Sequence, residues 1–230
     1  MPAKVVENCE HCTANWENFR NLTKPELQLV NENRYEASFR TGEIMIKQGS
    51  PAAHALFLAS GMAKIYVEGL NGKNCMLGIA LPGELIMSPG AFLTSRHSFS
   101  VASLTPSRTC FLSISILKEV VRSNGGFAEG MLKDMSAGYH NTNMRLVSQA
   151  QKRMSGRLAD ILLYLSDKVY RSDEYEMILS RQELGELATM AKECVVRILR
   201  EFEDSGIINS ESSRIKILDK EKLVMISEKG

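Results

Sequence analysis

The chain of 230 residues is 44% hydrophobic and 24% charged, and its 28 basic and 27 acidic side chains leave a net charge of +1. This balance is ordinary for a globular protein with room for one large domain or two modest ones, and it excludes a uniformly basic nucleic-acid coat while allowing a small positive face. No apolar run reaches the roughly 20 residues needed to cross a bilayer, and the opening MPAKVVENCEHC has no signal-peptide core, so the expected setting is the cytoplasm, with no membrane partner.

The first feature in chain order is the C-x-x-C motif Cys9-Glu10-His11-Cys12, part of a set of five cysteines. An odd number without framework spacing points to reduced thiols with one or two conditional sites. The pair Cys9 and Cys12 is a candidate for a metal, a cluster or a disulfide, whereas Cys75, Cys110 and Cys194 read as small buried residues. "TKPELQLVNENR" then reads as a short helix with Thr23 as N-cap and Pro25 in its first turn.

From about Ala37 to Ser113 the sequence reads as short strands. "EIMIKQGS" alternates and breaks at Gly49. "MAKIYVEGLNGKNCMLGIA" predicts a hairpin around Asn71-Gly72, a dipeptide that accepts the positive φ angles of a tight turn. "LPGEL" breaks the chain again, and "FSVASLTPSRTCFLSI" supplies two more strands around Pro106. Many short strands at close spacing indicate a sandwich, barrel or roll.

After Ser123-Asn124-Gly125-Gly126 the period becomes helical. Leu132, Met135, Tyr139, Thr142, Leu146 and Gln149 recur at steps of three and four, a narrow stripe closer to a coiled-coil seam than to a buried helix. Such a stripe needs a partner: the same helix of a second chain, or the chain's own roll. Near Ser155 a third segment begins, with the amphipathic helix "GRLADILLYLSDKVY", a short strand "YEMILS", two helices, and a hairpin in "GIINSESSRIKILD". The expected fold class is α+β, with an N-terminal β-roll over residues 1–126, a long helix over 127–153 and a small α+β domain over 154–230.

Within the third segment, Ser180-Arg181-Gln182-Glu183 is a capping box that starts a helix at Arg181. A break near Thr189-Met190 and a second helix from about Ala191, followed by a hairpin, make a winged helix-turn-helix. In that arrangement the second helix enters the major groove N-terminus first. Arg197 can fork onto guanine O6 and N7, Glu193 can accept from cytosine N4, and Lys192 can reach a guanine or a phosphate. Val195, Ile198, Leu199 and Phe202 form the opposite, buried stripe. The competing reading is an exposed ion pair between Glu193 and Arg197, one turn apart. From Gln151 onward there are 14 basic and 15 acidic side chains, so binding has to come from the placement of Arg181, Lys192, Arg197, Arg200, Arg214 and Lys216.

The segments "SGRLADILLYL", "LSRQELGELATMAKECVVRILREFEDSGII" and "FLASGMAKIYVEGLNGKNCMLGIALPGEL" resemble the CRP/FNR family of bacterial transcription regulators, over nearly the whole chain and in the family's order. The resemblance implies a cyclic-nucleotide-binding-like roll and a homodimer that binds double-stranded DNA with a two-fold operator and contacts RNA polymerase. It also implies that Lys192, Glu193 and Arg197 read a half-site with the family's TGA element. Lys192 departs from the family's arginine, and Thr189 stands where many members have glycine.

The family's cyclic AMP (cAMP) cassette is a Gly-Glu pair followed by Arg-Ser about ten residues later. With Pro82-Gly83-Glu84 set on the family's turn, these positions fall on Met87 and Ser88, then on His97 and Ser98. Thr142 matches the family's base-contacting threonine, and Arg96 lies one residue from rescuing the cassette. The cAMP site is read as lost, and the effector is left unnamed. The family's oxygen sensors imply a different cofactor, an iron-sulfur cluster, with Cys9, Cys12 and Cys110 as ligands. Such a cluster takes four thiolates, and one expected cysteine is missing from "TANWENF". His11 or Cys75 could stand in.

Three functions compete on the residues: a DNA-binding regulator, a thiol-redox or metal-dependent enzyme built on C-x-x-C, and a ligand-binding or assembly module with a vestigial helix-turn-helix. Cys9 and Cys12 lack a βαβ context, and no Ser/His/Asp, paired-carboxylate or P-loop constellation is present, so no enzyme is expected.

Overall fold

The computed structural model describes Cys12 and residues 16–230; Cys9 and His11 lie outside the described residues. The chain divides into two units, one running up to Glu68 and including Ile79–Gly138, the other joining Gly69–Gly78 to Tyr139–Gly230.

The alternating stretch resolves into eight strands: β1 (Arg34–Phe39), β2 (Ile44–Ile46), β3 (His54–Ser60), β4 (Ala63–Glu68), β5 (Asn74–Ala80), β6 (Leu85–Ile86), β7 (Ser100–Ser103) and β8 (Ser107–Ser113). They form two four-stranded sheets, ordered β1-β8-β3-β6 and β2-β7-β4-β5. The core follows from the two-residue period of β3, which is buried on both faces. Leu56 and Leu58 join Ile86, Val101 and Phe111 in a cluster fed by both sheets. Ala55, Phe57 and Ala59 join Leu112, Leu117, Val120 and Phe127 in a second cluster beneath helices. Each large side chain so buried contributes about 1.5–3 kcal/mol. At the β3–β4 link Gly61 has φ +86°, and a Cβ there would lie 2.8 Å from the Ser107 Cα, so only glycine closes this turn.

The helical cover consists of α1 (Lys24–Glu32), the single turn α2 (Gly90–Leu93), α3 (Ile114–Ser123) and the start of α4 (Gly125–Gln151). As expected, Thr23 opens α1, its backbone amide donating to Glu26 Oε2 at 2.8 Å, with Pro25 in the first turn. The strand reading of "FLSI" ends one residue into α3, a helix that the sequence reading missed, with Ile114, Leu117 and Val120 buried. The Asn71-Gly72 hairpin has a five-residue link rather than a two-residue turn. Gly69 N–H closes onto Lys73 O at 2.9 Å around a 3₁₀ turn at Leu70–Gly72, with Gly72 at φ +71°.

Helix α4 begins two residues before Phe127, and the two units share it. Only Phe127 and Met131 are buried on it, and Asp134 accepts from Trp16 Nε1 at 2.9 Å. Leu132, Met135, Tyr139 and Leu146 are 55–71% exposed. Gln149, expected in the seam, donates instead to Thr189 Oγ1 at 2.7 Å.

The second unit contains α5 (Met154–Tyr164), extended by a π-helical turn at Leu165–Tyr170 that ends at Arg171 with φ +52°. Next come β9 (Glu174–Glu176), α6 (Arg181–Ala188), α7 (Lys192–Asp204), β10 (Ile208–Glu211), β11 (Arg214–Ile217) and α8 (Lys220–Lys229). The three strands make a sheet ordered β10-β11-β9. The strand expected over "YEMILS" covers only its first residues, and α8 was not foreseen. It buries Leu223 and is capped by Asp219, whose side chain accepts from Lys222 N–H at 2.9 Å.

Candidate nucleic-acid interface

Helix α6 starts at the capping box: Ser180 N–H donates to Glu183 Oε2 at 2.8 Å, and Ser180 Oγ accepts from Glu183 N–H at 3.2 Å. It ends at Thr189, held in the left-handed region at φ +54° and ψ +54°. The Met190 amide returns to Gly185 O at 2.9 Å. A Cβ on Gly185 would sit 2.6 Å from the Met190 carbonyl oxygen, so this glycine lets the turn fold back on α6. The turn where the resemblance implies glycine is made here by Thr189, at the cost of αL geometry for a β-branched residue.

Ala191 gives α7 no side-chain cap, leaving its first turn unobstructed. Val195, Ile198, Leu199 and Phe202 are at most 4% exposed, as the periodicity requires. Lys192, Glu193, Val196, Arg197 and Arg200 are exposed on the other side. The ion pair of the competing reading, between Glu193 and Arg197, is not formed. Arg197 Nη1 pairs with Glu201 one turn onward, both side chains being more than half exposed. Such a surface pair contributes about 0–1 kcal/mol, so a guanine edge can displace it cheaply. Lys192, Glu193 and Arg200 make no ion pair among the described residues. Val196, 42% exposed, is an apolar member of this face that sequence reasoning missed; its place in the helical period, between the polar side chains at 193, 197 and 200, was the available signal.

The wing alters the role of the other basic residues. Arg181 Nη2 donates to Ser210 Oγ at 3.1 Å and to Ser212 O at 3.3 Å, bracing the start of α6 against the β10–β11 hairpin. Ser210 N–H in turn donates to Glu203 Oε1 of α7 at 2.9 Å. Arg214 and Lys216 both pair with Glu174 of β9, the Lys216 contact at 3.0 Å. The hydrogen bond from Lys216 and the nearby Arg214 charge hold the Glu174 carboxyl below its ordinary pKa. The wing's cations are thus partly neutralised, and the unneutralised charge of this face lies on α7.

In the roll, Ser88 is 1% exposed and its Oγ accepts from Ser98 N–H at 2.7 Å. Met87 packs against the helix-covered cluster, and Thr142 is exposed on α4 in the other unit. His97 is 7% exposed, its Nδ1 has no hydrogen-bond partner among the described residues, and burial pulls its pKa below the ordinary value. Arg96 is turned to Gly49 O at 2.7 Å. Residues 87, 88, 97 and 98 therefore offer neither the carboxylate for a ribose hydroxyl nor the cation for a cyclic phosphate, and the donor set does not fit that ligand.

Cys110 is buried, with Arg34 Nη1 3.6 Å from its sulfur, and Cys12 packs against the same apolar cluster. Cys75 falls in the other unit. Among the described residues, no three His, Cys, Asp or Glu side chains gather as metal ligands. The described residues thus do not fit a four-thiolate cluster.

Comparisons with known proteins match both halves of the chain. A Crp-like helix-turn-helix domain matches residues 156–226, and a cyclic nucleotide-binding domain matches residues 36–124. The transcriptional activator protein anr of Pseudomonas aeruginosa is 23% identical over 82% of this chain and 78% of its own length. The cAMP-activated global transcriptional regulator CRP of Salmonella typhimurium is 22% identical over 85% of this chain and 95% of its own. Among solved structures, FixK2 from Bradyrhizobium japonicum superposes with a TM-score of 0.76 at 18% identity, covering 84% of this chain and 96% of that one. A crp/fnr-family regulator from Eubacterium rectale gives 0.77 at 15% identity, covering 92% and 98%. The solved structures share the fold, and the two domain matches account for its two ends. The chain belongs to the CRP/FNR family of transcription regulators.

Proposed function

We propose that this regulator acts as a homodimer zipped along the exposed stripe of α4, presenting two copies of α7 to successive major grooves of a two-fold operator. The observation that carries the reading is the split face of α7: four side chains sealed in the core, and Lys192, Glu193, Arg197 and Arg200 left outside. Arg197 reads a guanine, Glu193 a cytosine and Lys192 a neighbouring base or phosphate, giving a half-site with the family's TGA element. Arg181 braces the wing and sets its approach to the backbone. Residues 1–126 serve as the sensor, 127–153 as the dimer rod and 154–230 as the DNA reader, acting on RNA polymerase in the cytoplasm. No catalytic step is assigned to the chain. No helix of the described residues is long and apolar enough to cross a membrane.

The effector is read as something other than a cyclic nucleotide held between a carboxylate and an arginine, since residues 87, 88, 97 and 98 supply neither. The C-x-x-C reading with a vestigial helix-turn-helix is not favoured, since the face of α7 keeps its reading side chains. Selection from a random duplex library, followed by titration at several salt concentrations, tests the proposal. A palindromic consensus with half-sites one helical turn apart and a steep loss of affinity with salt is expected. Binding without sequence preference would overturn it.

A further inference from the structure

Arg145, on the second half of α4, is the best-connected cation of its unit. Its Nη2 donates to Met76 O at 2.9 Å and to Leu187 O at 3.0 Å, and its Nη1 donates to Leu77 O. The acceptors have two origins. Met76 and Leu77 belong to β5, the last strand of its sheet. Leu187 lies in the final turn of α6, where carbonyls lack intrahelical donors and carry the negative end of the helix dipole. No carboxylate pairs with Arg145 among the described residues, so three backbone oxygens satisfy its charge. One turn further along α4, Gln149 holds Thr189, the left-handed residue that ends α6. Two side chains of one helix thus grip the turn that aims α7, and one of them also holds an edge strand of the roll.

We infer that Arg145 is a positioning residue that couples β5 to the helix-turn-helix, so that a shift of the strand is passed to the end of α6 and to the presentation of α7. The inference rests on the proposed DNA-binding reading. The physical basis is the geometry of guanidinium: a rigid planar fork can serve several fixed acceptors at once, whereas an ammonium presents a single point. Coupling of this kind is reciprocal, so DNA held by α7 must be felt at β5. Strand β5 runs from Asn74 to Ala80 and so passes from one unit of the chain into the other, which carries the effect into the roll.

The test is amide hydrogen exchange on the full-length protein, with and without a saturating operator duplex. In the wild type, the duplex is expected to change exchange over residues 74–80 as well as in α6 and α7. In Arg145→Gln, the operator still binds and still protects α6 and α7, but the difference at 74–80 is lost. Arg145→Lys keeps the charge without the fork, is the milder change should the glutamine variant fold poorly, and is expected to lose most of the same difference. An unchanged β5 response in either variant, or no β5 response in a wild type that binds operator, overturns the inference. Failure of the wild type to bind any operator is seen in the binding measurement itself, and overturns the regulator reading rather than this coupling.

Discussion

Helix α7 and the segment from Glu84 to Ser98, which holds β6 and α2, both rest on a sealed apolar base, yet they present different polar groups. On α7 the cations point outward, and the one ion pair made by Arg197 lies in water, where it costs little to exchange for a base edge. In the roll segment Ser88 and His97 are buried while Arg96 is exposed. Ser88 closes on a backbone amide, His97 Nδ1 has no partner among the described residues, and Arg96 donates to Gly49 O. A helix with three outward cations, Lys192, Arg197 and Arg200, can meet a polyanion of fixed geometry, whereas the roll segment offers one exposed cation, Arg96, held on a backbone carbonyl.

The sharpest way to break this comparison is to remove the rod that makes α7 act in pairs. Leu132 and Leu146 are each 63% exposed in the single chain, so aspartate at both positions leaves the folded protomer nearly untouched, within about 0.5 kcal/mol. In a two-fold seam each change occurs twice and buries unpaired charge, costing on the order of 3–5 kcal/mol per site. The double variant is expected to sediment as a folded monomer, with a melting temperature that no longer rises with protein concentration, and to form no operator complex. A dimer that survives would move the interface off α4.

A smaller effect is expected at the reading face. Arg197→Ala should cost roughly 1–3 kcal/mol per half-site and relax selectivity at one base pair. Arg200→Ala should weaken all sequences alike and lower the salt slope by about one. Fluorescence anisotropy against single-base operator variants separates the two behaviours. Equal losses on every sequence for Arg197→Ala would make it a phosphate contact.

The roll is tested by pH. Burial holds the His97 pKa below its ordinary value, and the residue is pinned through its backbone, N–H to Ser50 O at 2.9 Å and O to Gly49 N–H at 2.8 Å. Above the unfolded pKa of about 6.5 both states are neutral and the residue adds no pH dependence. As pH falls through that value the unfolded chain takes a proton that the native imidazole resists, so stability drops by at most about 1.4 kcal/mol per pH unit until the native pKa is reached. His97→Gln should flatten the melting curves in this window and match the wild type at neutral pH. An equal slope in both proteins would assign the acid sensitivity elsewhere.

Much of this was legible in the residues because it rests on local physics. The Ser180 capping box, the buried stripe of α7 and the two-faced strands each follow from a period or a cap that the sequence states directly. The misses share a different cause. Helix α3 begins directly at the end of β8, with no turn residue to mark the change. The partners of Arg197, Arg181, Arg214 and Lys216 depend on which element lies beside them, and Glu174, Glu201 and Ser210 carry no motif. Arg145 drew no notice for the same reason: its acceptors are backbone carbonyls, which every residue has, and only the fold brings Met76 and Leu187 to one guanidinium.

Val196 offers the finest test of how closely the DNA-reading end is tuned. It is an apolar side chain on the exposed side of α7, flanked along the helix by Glu193, Arg197 and Arg200, where a water-facing helix gains nothing from a valine. In the major groove the one apolar group on a base edge is the thymine methyl. Burying a methyl-sized group gains about 0.8 kcal/mol, or roughly a fourfold change in affinity per half-site. Operators carrying deoxyuridine in place of each thymine in turn should show a loss of that size at one position for the wild type, and none at that position for Val196→Ala. If deoxyuridine is tolerated at every position, Val196 is a spectator, and the readout belongs to the charged side chains alone.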